Sequence, residues 1–133
     1  MTIAAKWIVT VFAAVALFGL AQADAQDSPQ RKEIKRADLG GTTNMEVILS
    51  TAEYKSGENI PRHIHHGAEA FYVVQGATVE TPDGKQIQLP TGGGNINLRD
   101  VPHAGFKVVG DTPLKLLTVH IVDKGAPLYD APK

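Results

Sequence analysis

Residues 57–76 read GENIPRHIHHGAEAFYVVQG, and three of the chain's five histidines, His63, His65 and His66, crowd into this one stretch. Side chains alternate faces along a strand, so His63 and His65 point one way while Ile64 and His66 point the other. Glu69 follows a His66-Gly67-Ala68 corner, where glycine lets the chain turn back and bring a carboxylate toward the same pair. His103, on a later run, is available as a fourth donor. Three imidazoles and one carboxylate, with a position or two left for water or substrate, suit one divalent transition ion: Fe(II), Mn(II), Ni(II), Cu(II) or Zn(II). Calcium and magnesium prefer all-oxygen shells.

Outward from this stretch the chain is punctuated like an antiparallel β protein. Short β-branched or apolar runs (MEVILSTA, IPRHIHH, AEAFYVVQG, ATVE, KQIQL, NINL, HAGFKVV and LKLLTVHIV) alternate with turn residues, giving about eight strands from residue 44 onward. Thr81-Pro82-Asp83-Gly84 is a turn with φ preset by proline, and Gly92-Gly93-Gly94 and Gly110-Asp111-Thr112-Pro113 break the runs in a similar way. No segment of this region keeps a helical spacing of apolar residues. The expected fold is therefore all-β, a sandwich or closed barrel.

Gly57, five residues, His63, one residue, His65, three residues, Glu69, six residues and Gly76 match the first motif of the cupin superfamily at every specified position. The second motif resembles the family's less closely. Gly92 and His103 keep their separation, while Leu98, Asp100 and Lys107 stand where the family has Pro, Gly and Asn. Together the two motifs span residues 57–107. The resemblance implies a cupin-type β-barrel, a double-stranded jelly roll, with one divalent transition metal in its mouth held by His63, His65, Glu69 and His103. It also implies a homodimer, because such proteins often pair through sheet edges.

Before the barrel, Lys6 precedes an uncharged, mostly apolar run from Trp7 to Ala21, shorter than the about 20 residues that span a bilayer. Small residues follow at Ala21, Ala23 and Ala25, so residues 1–25 read as a secretory signal peptide cleaved after Ala25, or alternatively after Ala23. The expected location is the periplasm or outside the cell, with no stable membrane insertion after cleavage. Residues 26–43 form an N-terminal arm, loose at first and then extended along the barrel, and residues 44–133 form the barrel domain.

Composition narrows the chemistry. Thirteen Lys and Arg against 14 Asp and Glu give a net charge of −1, without the basic patch that nucleic-acid binding needs. The absence of cysteine excludes disulfides, thiolate metal sites and cysteine nucleophiles. No phosphate-binding glycine loop or nucleophile-elbow motif is present. The partner is expected to be a small molecule.

Strand alternation assigns Phe71, Val73 and Gln75 to the substrate pocket from Glu69, and Gly105 and Lys107 to it from His103. Glu69, His120 and Lys107 are the candidate catalytic groups: a carboxylate able to leave the metal as base, an imidazole and an amine. His120 also reads as a core imidazole with its hydrogen bonds satisfied, and His66 as a residue that faces solvent or supports the ligands without binding the metal. Tyr54, Tyr72 and Tyr129 read as packing residues. A cupin with this donor set implies a metalloenzyme, in the first place a dioxygenase-type oxidoreductase acting on a small dicarbonyl, enol or phenolic compound. Beside it stand a redox-neutral isomerase or lyase and a non-catalytic periplasmic module that binds a metal or a small ligand.

Overall fold

The computed structural model describes residues 27–133, so the leader reading of residues 1–25 lies outside the described residues. Nine strands run in the order β1 (Arg31–Asp38), β2 (Met45–Tyr54), β3 (Asn59–Ile60), β4 (Gly67–Gln75), β5 (Ala77–Glu80), β6 (Gln86–Leu89), β7 (Gly94–Asn97), β8 (Phe106–Val109) and β9 (Leu114–Asp123). They form two antiparallel sheets, β1-β2-β9-β4-β7 and β3-β8-β5-β6, which close on each other as a jelly roll. Among the described residues no helix is long and apolar enough to cross a membrane.

The strand beyond the expected eight is β1. Its sequence RKEIKRAD has no apolar alternation, yet it pairs along β2 as the edge of the larger sheet, so the segment read as an arm contributes a strand. An edge strand needs only one partner and no buried face, and charged side chains there discourage pairing with other chains. Arg31 and Arg36 reach inward from β1, to Ser50 Oγ and to Glu46 Oε1 (2.7 Å).

The inner face of the larger sheet changes character along its length. At one end Ala52, Tyr54, Val73 and Leu114 pack with Ile60, Ala77, Val79 and Val108 of the opposite sheet into the main core. At the other end the buried inward positions include Glu46, Ser50, Glu69, Thr118 and His120, beside a small apolar cluster of Ile48, Val122 and Leu128. Burying that many polar groups is unfavourable unless they meet partners, and the polar end of the barrel is where the histidines gather.

Two backbone details fix that end. Gly67 does not make a corner. It opens β4 so close to β9 that an added Cβ would lie 2.1 Å from the Ile121 carbonyl oxygen. The IPRHIHH run is not a continuous strand either: beyond Ile60 it is held by single bridges, His63 to His103 and Ile64 to Asp130.

Candidate metal centre

The loops carrying His63 and His103 are stitched by reciprocal backbone hydrogen bonds, His63 N–H to His103 O (3.1 Å) and His103 N–H to His63 O (3.0 Å). Each of three rings then commits its Nδ1 proton to a carbonyl oxygen, which can only accept. His63 donates to Pro61 O (2.7 Å), His103 to Val101 O (2.9 Å) and His65 to Leu128 O in a short contact. A neutral imidazole with its proton on Nδ1 presents a bare lone pair at Nε2. Burial pushes the His63 pKa down to about 4, against the pull of the Pro61 bond, so this ring is neutral at pH 7.

The Nε2 atoms converge. His63 Nε2 and His65 Nε2 lie 3.2 Å apart, His65 Nε2 is 3.3 Å from Glu69 Oε2, and His103 Nε2 is 3.6 Å from the same oxygen. Donors about 2.1 Å from one ion stand about 3.0–3.4 Å from their neighbours in octahedral or tetrahedral arrangement, so these separations are close to the edges of a coordination polyhedron. His103 Nε2 is buried and has no hydrogen-bond partner among the described residues. An orphaned lone pair facing two others and a carboxylate is costly without a cation and favourable with one. The donor set therefore fits a divalent transition ion, which His63, His65, Glu69 and His103 would hold; its identity is left open by ligands that several such ions accept.

Glu69 is fixed from both sides by sheet register. On β4 it faces Asn97 of β7 and His120 of β9. The Asn97 amide donates to Glu69 Oε2 (2.7 Å), and His120 Nε2 lies 3.4 Å from Oε1. Burial by itself raises the pKa of this carboxyl, but the imidazoles of His103, His120 and His65 outweigh that and hold it well below the usual carboxylate range. His103 is pushed down by burial and lifted further by Glu69, so its net shift is upward; His120 is more enclosed and its net shift is downward.

Residues 50–120, more than half of the chain, match the family described as Cupin domain. The chain belongs to the cupin family. No curated protein matches it. Among solved structures, the polyketide cyclase RemF from Streptomyces resistomycificus is 24% identical, with 77% of this chain and 75% of that chain covered and a TM-score of 0.49. A conserved protein with a double-stranded β-helix domain from Klebsiella pneumoniae is 18% identical, with 83% and 91% covered and a TM-score of 0.47. A chain from the structures of the DMSP lyases RdDddP and RnDddQII is 24% identical with a TM-score of 0.46; the match takes in 65% of this chain but spans only 43% of that one. These likenesses concern the fold.

In this cupin the histidine cluster opens onto a cavity of about 260 Å³ walled by Phe71, Leu89, Ala104, Phe106, Leu116 and the amides of Asn95 and Asn97. Of the pocket residues expected from alternation, Phe71 lines the cavity. Val73 lies in the hydrophobic core, and Gln75 sits past a bulge at the end of β4, its amide donating to Pro113 O (2.7 Å).

Lys107 is placed elsewhere. Ala104 (φ 59°) and Gly105 (φ 87°) are both left-handed, which breaks the pleat after His103 and shifts the alternation by one residue. Phe106 therefore faces the cavity, while Lys107 is exposed beside Glu80 and Thr81 on another surface. The amine is too far around the sheet to act as the proton shuttle assigned to it from sequence.

His120 is fully buried, and neither of its ring nitrogens has a hydrogen-bond partner among the described residues, so it is not the satisfied core imidazole considered above. Each buried polar atom left unpaired costs about 1–3 kcal/mol. His66 bridges two carboxylates, Asp100 (3.0 Å) and Asp130 (3.1 Å), outside the cluster; those hydrogen bonds raise its pKa.

Two further contributors gave little sequence signal. Asn97 is one. The other is the C-terminal segment after β9, which crosses the barrel mouth, supplies the Leu128 carbonyl to His65 and packs the Tyr129 ring 4.8 Å from His63 and 5.1 Å from His65. Burial, and then the neighbouring Tyr54 and Glu69, raise the Tyr129 pKa, so the phenol stays protonated. Tyr129, Tyr54, Ile60 and His63 also border an outer groove of about 580 Å³. That groove holds none of the other donors.

Proposed function

We propose that this cupin is a metal-dependent enzyme of the periplasm or cell exterior, acting as a dioxygenase-type oxidoreductase on a small dicarbonyl, enol or phenolic compound. The supporting observation is the pairing of three converging imidazole nitrogens and one carboxylate with a small, largely apolar cavity. When bound, a divalent transition ion supplies polarisation of a substrate oxygen and, if redox-active, access to dioxygen chemistry.

The protein's part is positional. The Asn97 amide fixes Glu69 through Oε2 while His120 Nε2 stands 3.4 Å from Oε1, so the carboxylate is oriented and anionic at the edge of the cavity. Phe71, Phe106 and Leu116 give the cavity an apolar wall, and its volume of about 260 Å³ suits a small substrate. No lysine or arginine lines this cavity among the described residues, which argues against recognition of a strongly anionic group by a side chain. One observation favours the redox-neutral alternative, an isomerase or lyase: the Tyr129 phenol borders the cavity and remains a proton donor.

The test is oxygen uptake by chain loaded with Fe(II), Mn(II), Ni(II) or Cu(II), against a panel of dicarbonyls, enols and catechols. Oxygen consumed in step with substrate supports the dioxygenase. Substrate conversion without oxygen supports the lyase or isomerase, and no conversion with any loaded form leaves a metal-binding module.

We further propose that the chain is a homodimer. The row Leu49, Val119, Ala70 and Ile96 runs across four adjacent strands on the outer face of the larger sheet, and Tyr72, Ile96 and Leu98 there are 51%, 60% and 63% exposed. Charges stand at the ends of this face and are already paired within the chain, Glu53 with Lys115 and Arg99 with Asp123. An apolar centre with a self-neutralised rim fits a second copy of itself, face to face rather than through the charged β1 edge.

A further inference from the structure

Among the described residues, the buried side-chain atoms without a hydrogen-bond partner are His103 Nε2, both ring nitrogens of His120 and Thr118 Oγ1. The first three belong to imidazoles beside Glu69. Thr118 is the exception: it stands on β9, is 2% exposed and borders the cavity of about 260 Å³. Buried hydroxyls are ordinarily bonded, so one left open on a cavity wall marks a place that a ligand's polar atom fits.

Sheet register gives its position. Ile48, His120, Glu69 and Asn97 stand side by side across β2, β9, β4 and β7, and Ser50, Thr118, Phe71 and Asn95 form the next row. The row beyond is apolar, with Ala52, Leu116 and Val73. Successive residues on one face of a strand are about 7 Å apart, so Thr118 lies one row, about 7 Å, from the row of Glu69. Of the other polar side chains in its row, Ser50 accepts from Arg31, and Asn95 is exposed at the sheet edge, where solvent can bond it. Packing does not call for a hydroxyl here, because valine has the same shape and aliphatic side chains fill the neighbouring row.

We propose that Thr118 determines specificity in this cavity: the substrate places one oxygen at the donor cluster and a second hydrogen-bonding group, one sheet row away, on Thr118 Oγ1. This rests on the reading of the cavity as the substrate site and narrows the substrate to an enol or phenol that carries a hydroxyl or carbonyl at its far end. A threonine hydroxyl both donates and accepts, so either group suits it. A small chelator with adjacent oxygens reaches only the donor cluster and leaves the hydroxyl unpaired, which disfavours it.

The probes are para-(hydroxymethyl)phenol and para-ethylphenol, which share a body and differ in whether the far end carries a hydroxyl. Each is titrated by calorimetry into the full chain loaded with Zn²⁺. Wild type is expected to bind the hydroxymethyl compound about tenfold more tightly. Thr118→Val should abolish that preference by weakening the hydroxymethyl compound alone, and Thr118→Ser, which keeps the hydroxyl, should retain most of it. Equal affinities in wild type, or a preference that survives Thr118→Val, overturn this inference and leave the metal centre standing, as does uptake of Zn²⁺ with no binding of either phenol. Failure to take up Zn²⁺ overturns the metal centre as well. The wild-type pair of titrations decides the matter even if the valine variant fails to fold.

Discussion

His63 and His65 bring two Nε2 atoms to within 3.2 Å of each other although each ring has already committed its proton on the far side, to Pro61 O and Leu128 O. No hydrogen is left to bridge them. Two facing lone pairs repel, and the contact becomes favourable only when a cation lies between them.

Metal removal should therefore lower stability. Chelation of the loaded chain is expected to reduce its melting temperature, with the size of the shift growing with free metal concentration as linkage requires. Differential scanning calorimetry at a series of Zn²⁺ concentrations checks this, and a melting temperature indifferent to the ion would contradict it.

The metal-free chain should lose stability on mild acidification. The folded pKa of His63 is lowered from 6.5 to about 4, so between those values the unfolded chain binds a proton that the folded chain refuses. Stability from this group is present above the unfolded pKa and declines as pH falls toward 4, by up to about 3 kcal/mol. His120 adds in the same direction, whereas His103, whose pKa is raised, opposes both. Urea melts of the metal-free chain at pH 7 and pH 5 should show a lower midpoint at pH 5.

Asn97→Ala removes the amide that orients Glu69 through a 2.7 Å hydrogen bond. Loss of such a supporting contact typically costs 10–100-fold in metal affinity, so about a tenfold weakening is expected with the fold intact. Competition with a chromophoric chelator measures the affinity, and circular dichroism checks the fold.

Phe106→Ala and Lys107→Gln separate the two possible registers after His103. Because Phe106 lines the cavity and Lys107 is exposed, the first should change substrate affinity markedly and the second should stay within about twofold of wild type. Steady-state kinetics, or ligand titration where turnover is absent, gives the comparison, and the reverse order would contradict the placement.

Most of the barrel and the gathering of the four motif residues were legible because they follow short-range rules: strand alternation, turn chemistry and fixed spacing around His63, His65 and Glu69. What escaped depends on tertiary approach. Gly67 looks like a corner residue in sequence, but its reason is the Ile121 carbonyl lying where its side chain would be. Lys107 was assigned to the pocket because the alternation was carried through Ala104, and nothing in that residue type announces a φ of 59°. Asn97 and Tyr129 carry no motif, and their roles arise only once β7 and the C-terminal segment pack against the cluster. Strand β1 lacked an apolar pattern because an edge strand does not need one.

A dimer through the outer sheet face should dissociate when charge is placed at its centre. Ile96→Lys is expected to convert the homodimer to a monomer with the barrel intact, read by light scattering coupled to size-exclusion chromatography. A wild-type monomer at micromolar concentration would rule out this pairing.

Elemental analysis of the folded chain, purified from its own compartment without chelators, bears most directly on the metal centre. The geometry of His63, His65, Glu69 and His103 predicts one transition-metal ion per chain, lost when His63 and His65 are both replaced by alanine. A chain that carries no stoichiometric transition metal, and takes none up from a mixture of Fe(II), Mn(II), Ni(II), Cu(II) and Zn(II), would contradict it.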